Sequence, residues 1–339
     1  MNSIYSLAEQ KPNKDSDTNM NLDLLIENLR SPALLFFLLG LIAVRIKSDF
    51  EIPSNSSKFI SIYLLFSIGF KGGHELAISS GGSNIAVALI TGVVLAAIVP
   101  IVSFFVVKKK FNVYDAGAVA ASYGSVSAVT FITVIGYLEL NNIENSGYMI
   151  AVMAIMEAPA IIVGTLLIRY FDSDSKKEQN IGEIIKHSVT NGSVLLIIGS
   201  LIIGYVSNEK QALGIEPFTT DIFKGFLAVF LLDMGVKSGK KLQALYKNGA
   251  FPIAYSIVFP AIIGSIVAAL STFLPFEQGD RLLITVLAAS ASYIAVPAAM
   301  KMAAPKANPG LYVPMALGIT FPFNITFGIP LYHAIINLV

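Results

Sequence analysis

Apolar residues run along this chain in long blocks divided by short polar segments, with no sustained alternation of the kind a strand would show. A helix needs about 20 apolar residues to cross a bilayer core of roughly 30 Å. Blocks of about that length lie near 31–46, 58–76, 84–107, 115–138 and 147–171, and again near 188–206, 219–238, 249–274, 280–302 and 310–337. The pattern predicts an all-α polytopic membrane protein of about ten transmembrane helices. Residues 1–30 read as a polar N-terminal tail without the apolar core of a signal peptide. A polar linker over 172–187 separates a first five-helix unit, 31–171, from a second, 188–339.

One block is anomalous at its centre. Ala120–Ala121–Ser122–Tyr123–Gly124–Ser125–Val126–Ser127–Ala128–Val129–Thr130–Phe131 replaces large aliphatic side chains with Gly and hydroxyl residues. Gly costs a helix about 1 kcal/mol relative to Ala, and Ser competes for its own backbone, so this helix is predicted to break. In hydrocarbon, broken backbone is tolerated only where protein or a water-filled cavity satisfies its N–H and C=O groups. The stretch 288–299, with Ser290, Ala291 and Ser292, has the same character in the second half.

The halves match weakly and in order. Ile68–Gly69–Phe70–Lys71–Gly72–Gly73 echoes Met234–Gly235–Val236–Lys237–Ser238–Gly239, and Ser125, Ala128 and Val129 echo Ser292, Ala295 and Val296. Pro159 and Gly164 echo Pro322 and Gly328 after a slip of one residue. An odd number of helices per half inverts the second half across the membrane, which gives a 5+5 inverted-topology repeat with its broken helices crossing near the midplane. Half-helix N-termini suit a small anion, and unwound carbonyls and hydroxyls suit a hard cation such as Na⁺.

Composition agrees with this class. Hydrophobic residues make up 55% of the chain and charged residues 13%, against about 25% charged in an average soluble domain. Mean hydropathy is +0.71. A formal net charge of +1 gives no global field for nucleic acid. The chain has no Cys, which removes disulfides, thiolate metal sites and Cys nucleophiles, and its three histidines, His74, His187 and His333, are too scattered for a transition-metal cluster. No phosphate loop or Ser–His–Asp set is visible, so chemical catalysis has no support. Placing the N-terminus outside leaves only Lys11, Lys14, Arg30, Lys71, Lys210, Lys224 and Arg281 of the 23 basic residues on that side. The positive-inside rule therefore predicts both termini outside a cell inner (plasma) membrane.

Several motifs resemble the sodium-dependent bicarbonate transporter family of cyanobacteria and other bacteria. They are Ser31–Pro32–Ala33, Ile68–Gly69–Phe70–Lys71–Gly72–Gly73, Gly124–Ser125–Val126–Ser127 with Thr130, Met156–Glu157–Ala158–Pro159–Ala160, Ala288–Ala289–Ser290–Ala291–Ser292, and Pro305–Lys306–Ala307–Asn308–Pro309. The resemblance implies a ten-helix inverted repeat, a homotrimer, Na⁺-driven bicarbonate uptake and, as in cyanobacterial members, a cytosolic PII-like regulator. It departs at the second broken helix, where the family's Asp is Tyr293 and a later Ser is Ala295. A carboxylate is the natural charged ligand for Na⁺, so this departure bears on the coupling ion.

The expected anion site comprises Gly124, Ser125, Val126, Ser127, Ala291 and Ser292. The expected cation ligands are Ser122, Thr130, Ser290, Glu157 and Asp233, with Na⁺ as the coupling ion. The ordinary alternative for the serines is close helix packing. Intramembrane carboxylates are costly and usually functional. Asp233, however, could instead pair with Lys237 one turn on. Asn324 could donate to substrate or to broken backbone. The expected function is a small-anion symporter, most specifically Na⁺-coupled bicarbonate uptake. Its alternatives are proton coupling or another carboxylate as cargo, and a membrane protein that senses an anion without transporting it.

Overall fold

The computed structural model describes residues 32–78, 82–172, 192–245 and 249–339, and every regular element among them is helical. The expected tail 1–30 and the linker 172–187, apart from Asp172, lie outside the described residues. The helices are α1 (Pro32–Arg45), α2 (Ser54–Ile78), α3 (Gly82–Val107), α4 (Val113–Gly124), α5 (Ala128–Leu140), α6 (Met149–Phe171), α7 (Gly192–Val206), α8 (Glu209–Glu216), α9 (Phe223–Leu245), α10 (Ala250–Leu270), α11 (Gln278–Ala289) and α12 (Ala295–Ala303). A last helical run, α13 (Pro309–Leu338), contains two π-helical stretches, Pro314–Thr320 and Asn324–Gly328.

Among the described residues, five runs are long and apolar enough to cross a membrane: Asn84–Val107, Val113–Leu140, Tyr148–Phe171, Ala250–Phe273 and Pro309–Leu338. The other expected spans have physical reasons to fall short. Among the described residues α1 and α7 are shorter apolar helices. Lys58, Lys71 and Glu75 interrupt α2, and Lys224, Asp233 and Lys237 interrupt α9. The expected span 280–302 is two pieces, α11 and α12, parted at 290–294. α8 was not anticipated; Asn208 caps it, with Gln211 completing a capping box.

The helices fall into two groups, which meet where α9 packs on the Pro314–Thr320 stretch of α13 and Ser238 Oγ donates to the Leu317 carbonyl at 2.8 Å. In one, α1 packs along α9 and α2 along α7, with α2 also touching α9. In the other, α3 packs on α4 and α6, α10 packs on α11 and α13, and α5 packs on α11. The matched glycines do matched work in the first group. A Cβ on Gly69 would lie 2.8 Å from Ser200 Cβ on α7, and one on its counterpart Gly235 would lie 3.0 Å from Gly40 Cα on α1. Backbones pack closely here because no side chain stands between them.

Burial separates inner from outer helices. The apolar window of Val113–Leu140 is 89% buried, whereas that of Asn84–Val107 is 28% buried. Along α3, Ile90, Val94, Ile98, Ile101 and Phe105 form an exposed apolar stripe, and along α10 Val258, Ile262 and Ile266 form another. Contiguous apolar surface of this extent suits hydrocarbon rather than water. The chain is accordingly read as membrane-embedded, with α4, α5 and α11 inside.

Candidate functional site

Both anomalous stretches are broken, as their composition predicts. α4 stops at Gly124, and the C-cap Ser125 is extended at φ −84° and ψ 164°. α11 stops at Ala289, and Ser290 is extended at φ −86° and ψ 172°. The first break, 125–127, is three residues long and the second, 290–294, is five. Gly124 is required at its position, because a Cβ there would run into the Pro100 ring of α3.

The breaks are joined to each other. The Ser292 amide donates to the Ser122 carbonyl at 2.8 Å, and Ser122 Oγ donates to the Ser292 carbonyl at 2.5 Å. The Ser127 amide donates to Ser290 Oγ at 3.0 Å, while Ser290 Oγ donates to the Leu287 carbonyl at 2.9 Å. Asn324 Nδ2 donates to the Ala289 carbonyl at 2.8 Å, and Tyr332 OH donates to Asn324 Oδ1 at 3.1 Å. Asn324 thus serves broken backbone. Next to the first break, Tyr123 OH, Ser256 Oγ and Thr320 Oγ1 form a buried hydroxyl cluster. Several backbone groups released by unwinding are thereby satisfied within the protein, as a low-dielectric setting demands.

Against the joined breaks lies a cavity of about 930 Å³. Its walls come from α2, α6, α7 and α9, and both breaks reach it, at Val126–Val129 and at Ser292–Ala295. Exposed Lys58 and Gly192 stand at its rim. Between α2 and α5 it ends at Phe66 and Ile132. Polar groups are sparse on its walls: Ser61, Ser127, Glu157, Ser200, Ser292 and Tyr293.

The expected site residues separate into distinct roles. Val126, Ser127, Ser292 and Glu157 line the cavity. Gly124, Ser125 and Ala291 are buried beside the breaks without lining it, and the hydroxyls of Ser122 and Ser290 are engaged in the crossing. Thr130 gives its N–H to Ser127 Oγ at 3.2 Å, an N-cap for α5. Ser125 Oγ is fully buried and has no hydrogen-bond partner among the described residues. Glu157 makes no hydrogen bond or ion pair with any described residue.

Asp233 follows the local alternative. It is 3% exposed, receives Ser57 Oγ and pairs with Lys237 Nζ at 2.6 Å, away from the cavity wall. Lys237 also donates to Ser57 Oγ, so the three groups form a closed set. Tyr293 stands on the cavity wall with its ring toward Phe321 and its hydroxyl 3.9 Å from Met234 Sδ. It does not bring a second carboxylate to the site.

Sequence reasoning missed the donors nearest the cavity. The first N–H groups of a helix have no intrahelical acceptor. Ser127 caps only Thr130, so Ala128 and Val129, which line the cavity, have N–H groups without a side-chain cap. α12 begins with no side-chain cap, and its first residue, Ala295, also lines the cavity. The expected donors at Ser125 and Ser292 are instead committed to Ala121 O and Ser122 O. Backbone donors carry no residue identity, so the residue types alone could not name them.

Two half-helix N-termini at one cavity, α5 capped only at Thr130 and α12 without a side-chain cap, can hold an anion without a cationic side chain. Residues 32–337 match the model of the Na⁺-dependent bicarbonate transporter superfamily, and the chain belongs to that superfamily. This is a family of transporters rather than of enzymes. No curated protein matches the chain.

Proposed function

We propose that this protein is a secondary active transporter that carries bicarbonate inward, driven by the Na⁺ gradient. The observation that carries the proposal is the meeting of the two broken helices at the cavity, with Ala128, Val129 and Ala295, the first residues of the two following half-helices, among its lining. Their N–H groups and the Ser127 and Ser292 hydroxyls would hold the anion. Ser125 Oγ, buried and unpartnered, is the free oxygen best placed to join released carbonyls around Na⁺.

The architecture proposed is the 5+5 inverted repeat. Its support is the pairing of helices: α1 with α9 and α2 with α7 exchange under it, as do α3 with α6 and α10 with α13. The cationic ends, with Arg45, Lys108 and Lys240, would face the cytoplasm. The homotrimer and the PII-like regulator rest on the family resemblance. Native mass spectrometry of the detergent-extracted protein tests the first.

Labelled bicarbonate uptake into proteoliposomes, with and without an inward Na⁺ gradient, tests the central claim. Gradient-dependent accumulation is expected. Uptake indifferent to Na⁺, or none, would overturn it.

A second reading has its own observation. Glu157 is a carboxylate on the cavity wall with no partner among the described residues, and Tyr293 stands where the family has Asp. If Glu157 takes up and releases the coupling proton, a pH gradient alone drives uptake and Glu157→Gln abolishes it.

A further inference from the structure

Glu139, in the last turn of α5, joins the two helix groups at one end of the molecule. Lys71 on α2 donates to its Oε1 at 2.8 Å, and Lys224 on α9 lies 4.0 Å from its Oε2. Both lysines belong to the α1–α2–α7–α9 group, and Glu139 belongs to the other. Directly beside the pair, backbone meets backbone: a Cβ on Gly72 of α2 would lie 3.1 Å from the Gly147 carbonyl in the loop before α6. The cavity does not extend to this end between α2 and α5, since its lining there stops at Phe66 and Ile132.

The opposite end is charged differently at the matched positions. Lys237, the counterpart of Lys71, is held within its own helix by Asp233 and supported by Ser57. Asp233 has as its counterpart Ser67, an uncharged residue, so Lys71 has no carboxylate one turn before it and reaches across to α5. At the offset relating Ser125 to Ser292, Glu139 falls on Lys306, a cation, whose amino group donates to Tyr114 OH at 2.9 Å within its own group. Like charges at Lys237 and Lys306 exclude a matching bridge there.

We propose that the Lys71–Glu139 pair, with Lys224 behind it, is a latch present at one end only. It favours the conformation closed at that end and open toward Lys58, and it must part each time the site is presented to the other side. The inference rests on the transport reading for its purpose. Its structural content is a bias between two conformations. A partly exposed ion pair is a small bias, so removing it shifts the distribution by about two- to fivefold and leaves the fold intact.

The chain has no Cys, so each introduced thiol is unique. Ser61→Cys on the cavity wall and Thr133→Cys on α5 toward the latched end report access to a membrane-impermeant maleimide in proteoliposomes. In Glu139→Gln, labelling of Thr133→Cys is expected to rise about two- to fivefold, while labelling of Ser61→Cys falls. Lys71→Gln shifts both the same way, and the double variant matches the larger single effect, because one pair is removed in each case. Unchanged labelling in both single variants, or a double effect equal to their sum, would overturn the latch. If Glu139→Gln does not fold, Lys71→Gln decides, since it leaves Lys224 to neutralise the carboxylate. Expected labelling shifts in a protein that accumulates no bicarbonate would retain the latch and remove the transport reading.

Discussion

Ser122 and Ser292 hold each other twice, amide to carbonyl at 2.8 Å and hydroxyl to carbonyl at 2.5 Å, across two breaks that are far apart in the chain. Ser122→Ala removes the hydroxyl donor and leaves the buried Ser292 carbonyl without it. An unsatisfied buried acceptor costs about 1–3 kcal/mol. Thermal unfolding of the detergent-solubilised variant is expected to show a loss of that order. A melting temperature equal to that of the wild type would mean the crossing is held by other contacts.

Ser127 both caps α5 and faces the cavity. Ser127→Ala releases the Thr130 amide and should lower stability by about 0.5–2 kcal/mol, the ordinary worth of an N-cap. It also removes a hydroxyl from the proposed anion site. Uptake kinetics should therefore show a raised KM for bicarbonate, while Ser127→Thr, which keeps the cap, restores stability.

Glu157 has no partner to lose among the described residues. A carboxylate without a compensating charge is unfavourable in a low-dielectric wall. Glu157→Gln is accordingly expected to melt no lower than the wild type. Paired with uptake measurements, this isolates function from folding: a variant that folds as well and responds only to Na⁺ excludes the proton-coupled reading.

Asp233 and Lys237 form the opposite case. Asp233→Asn strands a cationic group that is 41% exposed, so the penalty should fall below the 3–5 kcal/mol typical of a fully buried pair. Lys237→Met alone leaves the 3% exposed carboxylate with only Ser57 and should cost more. Combining Asp233→Asn with Lys237→Met should recover part of the loss, and chemical denaturation of all three variants measures the coupling.

The broken helices were legible in the sequence because Gly124, Ser125, Ser127, Ser290 and Ser292 are small or hydroxylic inside apolar runs. The matched glycines were legible for a similar reason, and their places against α1 and α7 agree with the match. Function within the breaks was less legible. A serine hydroxyl can cap, cross-link or face a cavity, and Ser122, Ser127 and Ser290 look alike until their partners are known. Lys71 read only as one of the few basic residues on the outer side, since nothing along the chain joins it to Glu139, 68 residues away. Asp233 was ambiguous for the converse reason: its partner is one turn away, and the same spacing also permits exposure to solvent.

The slip of one residue between Pro159–Gly164 and Pro322–Gly328 coincides with the π-helical stretch Asn324–Gly328. A π turn holds one more residue than an α turn, so an insertion is absorbed without severing the helix. Each residue advances an α-helix by about 100°, so the insertion turns the part of α13 before it relative to the part after it. There Asn324 reaches Ala289 and Tyr332 reaches Pro260, and the two side chains are joined to each other. Two halves that differ in this way cannot trade places as identical copies. In a carrier of the kind proposed, the outward and inward strokes are then unequal steps, and influx and efflux under mirrored gradients run at different speeds, a built-in rectification.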